Sequence, residues 1–277
     1  MFTGGGARGT VISTASTVGV LAIFVLIFVL APGARTVAHA FFYGRDMWQS
    51  FIGDPRKGYY SVGAAIWLNI RMFLAAEALI LPFALVIALI RQSTHPALFP
   101  IRVIATVYVD FFRGVPLLLV VVALGLGVPG LYLPVISHQP DAVYGVAALV
   151  ITYSAYVSEV YRAGLNSVHR SQVAAARSLG LTQRTALRYV ILPQAVRNII
   201  PPLLNDFIAL QKDTSLVGVL GVIEANQAAS IYASTVFNYS SFTVAAILFL
   251  ILTIPLARFT DRLIERDRRR RLAGVAA

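Results

Sequence analysis

The sequence predicts an all-α integral membrane protein with about six transmembrane helices, and three observations carry that expectation. Of 277 residues, 58% are hydrophobic and only 13% charged, with a mean hydropathy of +0.76; a soluble domain has about 25% charged residues. Several apolar runs reach the roughly 20 residues that a helix needs to cross a bilayer. The basic residues are also unevenly placed: seventeen of the 23 Lys and Arg fall in segments that lie on one side of the membrane if the spans are drawn as below. Arg35, Arg45, Arg56 and Lys57 fall in the first loop on the other side, and Arg71 and Lys212 lie within spans. Excess Lys and Arg mark the cytoplasmic face. A net charge of +11 therefore reports orientation here, not affinity for nucleic acid.

The expected spans lie at about 11–31, 62–90, 103–127, 142–161, 199–222 and 242–259. The first is an apolar run from Val11 to Ala31. It is longer than the h-region of a signal peptide and only Arg8 precedes it, although Ala38-His39-Ala40 resembles a cleavage site; a retained anchor is favoured. Residues 32–61 are polar and aromatic (Phe41, Phe42, Tyr43, Trp48, Tyr59, Tyr60), a composition suited to the membrane–water boundary. The second span ends at Arg91, and the third follows an amphipathic approach from Ile101 to Phe112 and the segment Arg113-Gly114-Val115-Pro116. Pro129, Pro134 and Pro140 break the next loop. The fifth span starts near Pro201-Pro202, which suggest a hinge, and the sixth ends at Arg258 before a tail with six Arg and three acids between Asp261 and Arg271. An even number of spans places both termini in the cytoplasm. No internal repeat is visible, which weakens a secondary-transporter reading.

Between the fourth and fifth spans lies a cytoplasmic stretch with helical patterning. Gln172 to Leu179 is rich in helix formers, and Gly180 supplies a left-handed terminating position. Thr182 can cap a second helix from Gln183 to Leu192, which Pro193 is expected to stop. On that helix Ala186, Leu187, Val190 and Ile191 share one face, and Arg184 and Arg188 another. A solvated pair of surface helices and a DNA-binding helix-turn-helix are the alternatives. The second fails because the segment is pressed against the headgroups, where a duplex cannot reach.

The run Ala174-Ala175-Ala176-Arg177-Ser178-Leu179-Gly180, followed by Val190-Ile191-Leu192-Pro193, resembles the EAA loop of permease subunits in bacterial ATP-binding-cassette importers. Ala174 stands where that family has Glu, and Val190 where it has Ile. Arg113-Gly-Val-Pro-Leu, Tyr156-x-x-Glu159-x-x-Arg162-x-Gly164, Leu192-Pro-Gln-Ala195 and Lys212-Asp-Thr-Ser-Leu216 narrow the resemblance to the polar amino-acid uptake subfamily, over about residues 60–265. Val115 replaces the usual Thr of the first motif. The resemblance implies a five-helix importer permease core with an extra N-terminal helix and a cytoplasmic coupling helix. It also implies a loop that inserts into a groove of an ATPase subunit, with Ala175, Ala176, Arg177, Leu179 and Gly180 at the dock and Arg177, Arg184 and Arg188 meeting carboxylates on the partner.

The residues themselves suggest where a substrate would pass. Lys212 and Asp213 fall near the middle of the expected fifth span, where an ionised side chain costs at least roughly 2.5–3.5 kcal/mol. Such a pair complements the carboxylate and ammonium of an amino acid; an internal Lys–Asp pair that only holds helices together is the bland alternative. Asn205, Thr214 and Ser215 can add hydrogen bonds, Asp206 is a further acid, and Glu77 in the second span lines the path or pairs with a neighbouring helix. Glu159 and Arg162, three residues apart, read as a structural ion pair.

Other chemistry is absent from the sequence. Only Lys57 and Lys212 are lysines, and neither sits in a phosphate-binding loop, so no cofactor is expected in this chain and a partner must bind ATP and Mg. Gly125-x-Gly127-x-x-Gly130 matches a dinucleotide pattern without the strand that it requires. The four histidines have no metal-ligand spacing, and there are no cysteines. The expected organisation is an N-terminal anchor and external loop over 1–60, a permease domain over 61–265 with its coupling loop at 165–197, and a basic cytoplasmic tail over 266–277. The expected partners are ATPase subunits, an extracytoplasmic amino-acid-binding protein docking on outer loops 128–141 and 223–241, a second permease copy or sister permease, the amino acid and membrane lipid. The expected location is the bacterial inner membrane. An ion-coupled secondary transporter or channel, or a non-transporting scaffold, remains as an alternative.

Overall fold

A computed structural model describes residues 7–275. Among them all regular structure is helical, apart from one isolated β-bridge between Asp54 and Tyr59. Four helices are long and apolar enough to cross a membrane, and six crossings result if each of two bent helix pairs is one span. The six expected spans are recovered in that form.

Helix α1 (Ala7–Leu30) is apolar all round, and none of its most hydrophobic stretch is buried against the rest of the chain. Two short helices, α2 (Ala34–Phe42) and α3 (Gly44–Ile52), then form a strap over the start of the last helix. The Tyr43 amide donates to Ser240 Oγ at 3.0 Å, Asn238 Nδ2 donates to the His39 carbonyl at 3.1 Å, and Thr243 Oγ1 donates to the Phe41 carbonyl at 2.6 Å.

The core begins with α4 (Val62–Gln92), capped by Ser61 Oγ accepting from the Ala64 amide at 2.9 Å. The third span differs from expectation. It is not one helix over 103–127 but α5 (Phe99–Gly114) and α6 (Leu117–Gly127), the surrounding segments meeting at 107°. Pro116 explains the break: its ring pushes the preceding residue out of helical geometry, and Val115 is extended at φ −93, ψ 131. The amphipathic α5 packs at the inner end, where Ala105 and Val109 meet Ile87 and Ala155.

Helix α7 (Asp141–Asn166) is the hub, packed on α4, α5, α6 and α10 (Leu192–Asp213). Met72, Phe73, Ala76, Ile80 and Ala84 of α4 bury against Leu149, Tyr153 and Val157 of α7 and Leu210 of α10. Contact with α10 is close enough to demand glycine. A Cβ on Gly164 would lie 2.1 Å from Ile199 Cγ1 of α10, and one on Gly145 would lie 2.2 Å from Val217 Cγ1 in the segment that follows α10.

The coupling segment comprises α8 (Arg170–Ser178), α9 (Gln183–Ala186) and a π turn over Leu187–Ile191 that runs directly into α10. Pro193 therefore does not stop the second helix, contrary to expectation. A proline has no N–H and its ring conflicts with the carbonyl four residues back. The wider π turn relieves this: the Leu192 amide reaches back five residues to the Leu187 carbonyl.

Beyond α10 a 3-10 segment (Thr214–Leu220) ends at Gly221, and α11 (Ala225–Val236) follows, the pair bent by 49°. The outer region 223–241, expected as a loop, is thus largely a helix. Ala225, Ala228 and Ala229 of α11 bury against Val62 and Ala65 of α4 and against Val244 and Ala245 of α12 (Ser240–Val275). The basic tail continues α12 as far as Val275; residues 276–277 and 1–6 lie outside the described ones.

Substituting Gly164→Leu is expected to lower the Tm of the purified protein by at least about 4 °C, since overpacking costs about 1–3 kcal/mol. Thermal unfolding in detergent measures it, and an unchanged Tm contradicts the close approach of α7 and α10.

Candidate functional site

The coupling loop is built as its residues dictate. Gly180 has φ +84, the left-handed conformation that L side chains rarely adopt. The Gly180 amide donates to the Arg177 carbonyl at 3.0 Å and the Leu181 amide to the Ala176 carbonyl at 3.2 Å. Those two bonds form a Schellman ending for α8. Thr182 Oγ1 accepts from the Thr185 amide at 3.3 Å and caps α9. The result is a helix–Gly–helix hairpin whose tip carries Leu179, 82% exposed. Ala175, Arg177, Gly180, Arg184 and Arg188 are also exposed. Ala176 is not: it is 5% exposed and faces inward. Arg188 lies over the ring of its neighbour Tyr189, 5.7 Å from the centroid.

The membrane-embedded polar residues fall into three groups. The first joins α4 to the break between α10 and α11. Asn69 Nδ2 donates to Glu224 Oε2 at 2.9 Å and to Thr214 Oγ1 at 3.1 Å, while Asn69 Oδ1 accepts the Ala225 amide at 3.0 Å. Glu224 caps α11, accepting the Asn226 amide at 2.9 Å and the Gln227 amide at 2.8 Å. All three side chains are buried. Thr214, expected on the substrate path, is therefore part of a structural tie.

The second group sits at the end of α10. Lys212 and Asp213 lie where α-helix gives way to 3-10. They do not pair: Tyr153 donates its hydroxyl to Asp213 Oδ2 at 2.7 Å, and Lys212 is exposed, with no ion pair among the described residues. Ser215 is half-buried, and Asn205 is exposed on α10.

The third group surrounds a cavity of about 520 Å³ between α5, α7 and α10, and Arg113, Tyr156, Glu159, Asn198 and Asp206 are among its lining residues. One carboxylate oxygen of Asp206, Oδ2, is buried with no hydrogen-bond partner among the described residues. Asp206 stands close enough to Glu77 of α4 for its charge to act on that carboxyl group. Arg113 makes no ion pair among the described residues, and its carbonyl accepts from Tyr156 Oη at 3.3 Å. Glu159 is held from two sides, by Arg162 at 2.7 Å, as expected from their spacing, and by Arg91 of α4. The cavity thus presents a free guanidinium and an under-satisfied carboxylate in a largely apolar surround. That set complements a zwitterion.

Sequence reasoning missed several of these partners. Arg113 and Tyr156 entered only as motif letters, although an arginine beside a helix-breaking Val-Pro was a usable signal. Glu224 was hidden in a presumed loop, yet an acid directly before Ala225-Asn226-Gln227-Ala228 is a helix-start signal. The Arg91–Glu159 pair joins residues far apart in the chain, and no local pattern announces it.

Comparison with known proteins places these features in context. Residues 98–270 match the family described as binding-protein-dependent transport system inner membrane component. The probable amino-acid permease protein YxeN of Bacillus subtilis is 38% identical over 72% of this chain and 88% of its own length. The probable glutamine ABC transporter permease protein GlnM of the same organism is 38% identical over 57% of this chain and 72% of its length. Among solved structures, one of an amino acid ABC transporter with histidines superposes with a TM-score of 0.68 at 32% identity, covering 74% of this chain and 93% of that one.

Asn69→Leu strips Glu224, Thr214 and the Ala225 amide of a shared partner in a setting without water. Leaving buried polar groups unsatisfied costs about 1–3 kcal/mol each. The variant is expected to unfold at least about 5 °C below wild type, as followed by thermal aggregation of the purified protein; an equal Tm would rule the tie out as structural.

Proposed function

The chain belongs to the family of binding-protein-dependent transport system inner membrane components, and from that premise we propose how it works as the membrane-spanning permease subunit of an amino-acid ATP-binding-cassette importer. An extracytoplasmic binding protein delivers a polar amino acid, of the kind represented by glutamate, glutamine, arginine or histidine, to the outer face. A second permease copy or a sister permease completes the pathway. A separate ATPase binds ATP and Mg, hydrolyses the nucleotide and drives alternating access through the coupling loop. The chain itself performs no catalysis. It is a multi-pass protein of the bacterial inner membrane, with both termini in the cytoplasm. Its N-terminal region over 1–60 anchors and straps a permease domain over 61–265.

The observation that carries the substrate reading is the under-satisfied Asp206 carboxylate in the same cavity as the free Arg113 guanidinium. In this reading Arg113 takes the α-carboxylate, Asp206 takes the α-ammonium with Glu77 behind it, and exposed Asn205 lies along the entry. Lys212 and Asp213 play a lesser part, because Asp213 is already bonded to Tyr153 and Lys212 is exposed with no ion pair among the described residues. For docking, the exposed Leu179 at the hairpin tip supplies an apolar knob, with Ala175 and Gly180 beside it. Arg177, Arg184 and Arg188 meet acidic residues of the ATPase. Ala174, in place of the usual Glu, leaves that contact to neighbouring side chains.

Two experiments test this. In proteoliposomes holding the full transporter, Asp206→Asn should reduce uptake about tenfold or more, as expected when a charge-assisted bond worth about 1.5–3 kcal/mol is lost, and Lys212→Met should leave uptake near wild type. The reverse pattern returns the substrate site to Lys212 and Asp213. In a pull-down, Gly180→Pro should recover much less ATPase than wild type, because proline cannot adopt φ +84; equal recovery contradicts docking through this hairpin.

A further inference from the structure

One face of α10 runs from the coupling loop to the cavity. Gln194, Asn198, Pro202 and Asp206 recur every four residues and so lie roughly above one another, spanning about 18 Å at 1.5 Å per residue. Asn198, Pro202 and Asp206 line the larger cavity. Gln194 and Asn198, with Gln172 and Arg197, line an adjoining polar one of about 300 Å³.

At the lower end of this face both protons of one amide are committed. Gln194 Nε2 donates to Gln172 Oε1 on α8 and, at 3.0 Å, to the Val190 carbonyl inside the π turn. One turn higher, Asn198 Nδ2 donates to Ser167 Oγ at 2.6 Å, which in turn donates to the Gly164 carbonyl of α7 at 2.6 Å.

The hairpin needs such a brace. Its backbone turns at Gly180, where nothing lies within 4 Å of the position a Cβ would take. The residues of α8 and α9 that bury there are alanines, Ala176 and Ala186, whose small side chains offer little apolar area. Hydrogen bonds worth about 1 kcal/mol each net are then comparable to the packing that joins α8 to α10. A pushed hairpin without them would swing on the Gly180 turn and the π turn and leave α10 in place.

We propose that Gln194 is a positioning residue for energy coupling: a side-chain latch that makes coupling helix α8 and the base of α10 move as one body, delivering displacement of α8 to the face of α10 that bears Asp206. This rests on the importer reading given above. Gln194 touches neither substrate nor nucleotide. Its loss separates ATP hydrolysis from transport without abolishing either docking or fold.

The test uses the complete transporter in proteoliposomes, with uptake of a radiolabelled mixture of glutamine, glutamate, arginine and histidine and ATP hydrolysis measured on the same preparation. Gln194→Leu and Gln172→Leu should each reduce uptake about fivefold while hydrolysis stays within about twofold of wild type. The double variant should be no worse than Gln194→Leu alone, since that variant already removes the Gln194–Gln172 bond. Gln172 is exposed on α8, so its variant reads the latch even where Gln194→Leu fails to assemble. Unchanged uptake, parallel loss of uptake and hydrolysis, or multiplying effects in the double variant would each overturn the latch while leaving the importer reading intact. A wild-type complex that takes up none of the four amino acids would overturn that reading, and the latch with it.

Discussion

The tie between Asn69 and Glu224 is the constraint on which the rest of the structure depends. A bilayer core offers no water to backbone groups, so irregular backbone survives there only where protein satisfies it. The chain leaves α-helical geometry after Asp213 and resumes it at Ala225. The amides that begin α11 are answered by the Glu224 carboxylate, and that carboxylate is answered by Asn69. Without Asn69 the break would expose a buried acid and a buried amide together. With it, α4, the end of α10 and α11 are held at one point, and α7 can approach α10 closely at Gly164 and the following 3-10 segment at Gly145.

That arrangement divides labour along α10. Its C-terminal end is clamped by the polar tie and by Tyr153 on Asp213, whereas its N-terminal end follows a π turn and is joined to the coupling hairpin by the Gln194–Gln172 side-chain hydrogen bond. Between the two lies the cavity with Arg113 and Asp206. A rod fixed above and driven below tilts about its upper clamp, and the groups along its middle move relative to α5 and α7. Alternating access asks for such a motion, with packed elements sliding or rotating as units.

Much of this was legible in the sequence, and the remainder was not for identifiable reasons. Apolar runs are averages over many residues, so the spans emerge from composition alone. Gly180 and Thr182 act through local backbone chemistry, and the hairpin forms as their positions indicate. Pro193 shows the limit of local rules: proline ends a helix only where no wider turn is available, and here a π turn absorbs it. Lys212 and Asp213 were conspicuous because both are charged within an apolar run, yet the partner of Asp213 is Tyr153, which is distant in sequence. Asp206, equally visible, stands out only once the fold places it in one cavity with Arg113. Pairings across long sequence separations, such as Asn69–Glu224 and Arg91–Glu159, leave no periodic trace.

Because the sequence contains no cysteine, a single introduced thiol reports without background on whether the cavity changes exposure as the ATPase cycles. Ala163 lines the cavity from α7 and is exposed to it. The most direct measurement is the labelling rate of Ala163→Cys by a membrane-impermeant maleimide added from the cytoplasmic side of the assembled transporter, with and without ATP and vanadate. The account predicts fast labelling in the absence of nucleotide and labelling slowed about tenfold or more when nucleotide is trapped. Equal rates in the two states would contradict a cavity that opens and closes under the control of the coupling loop.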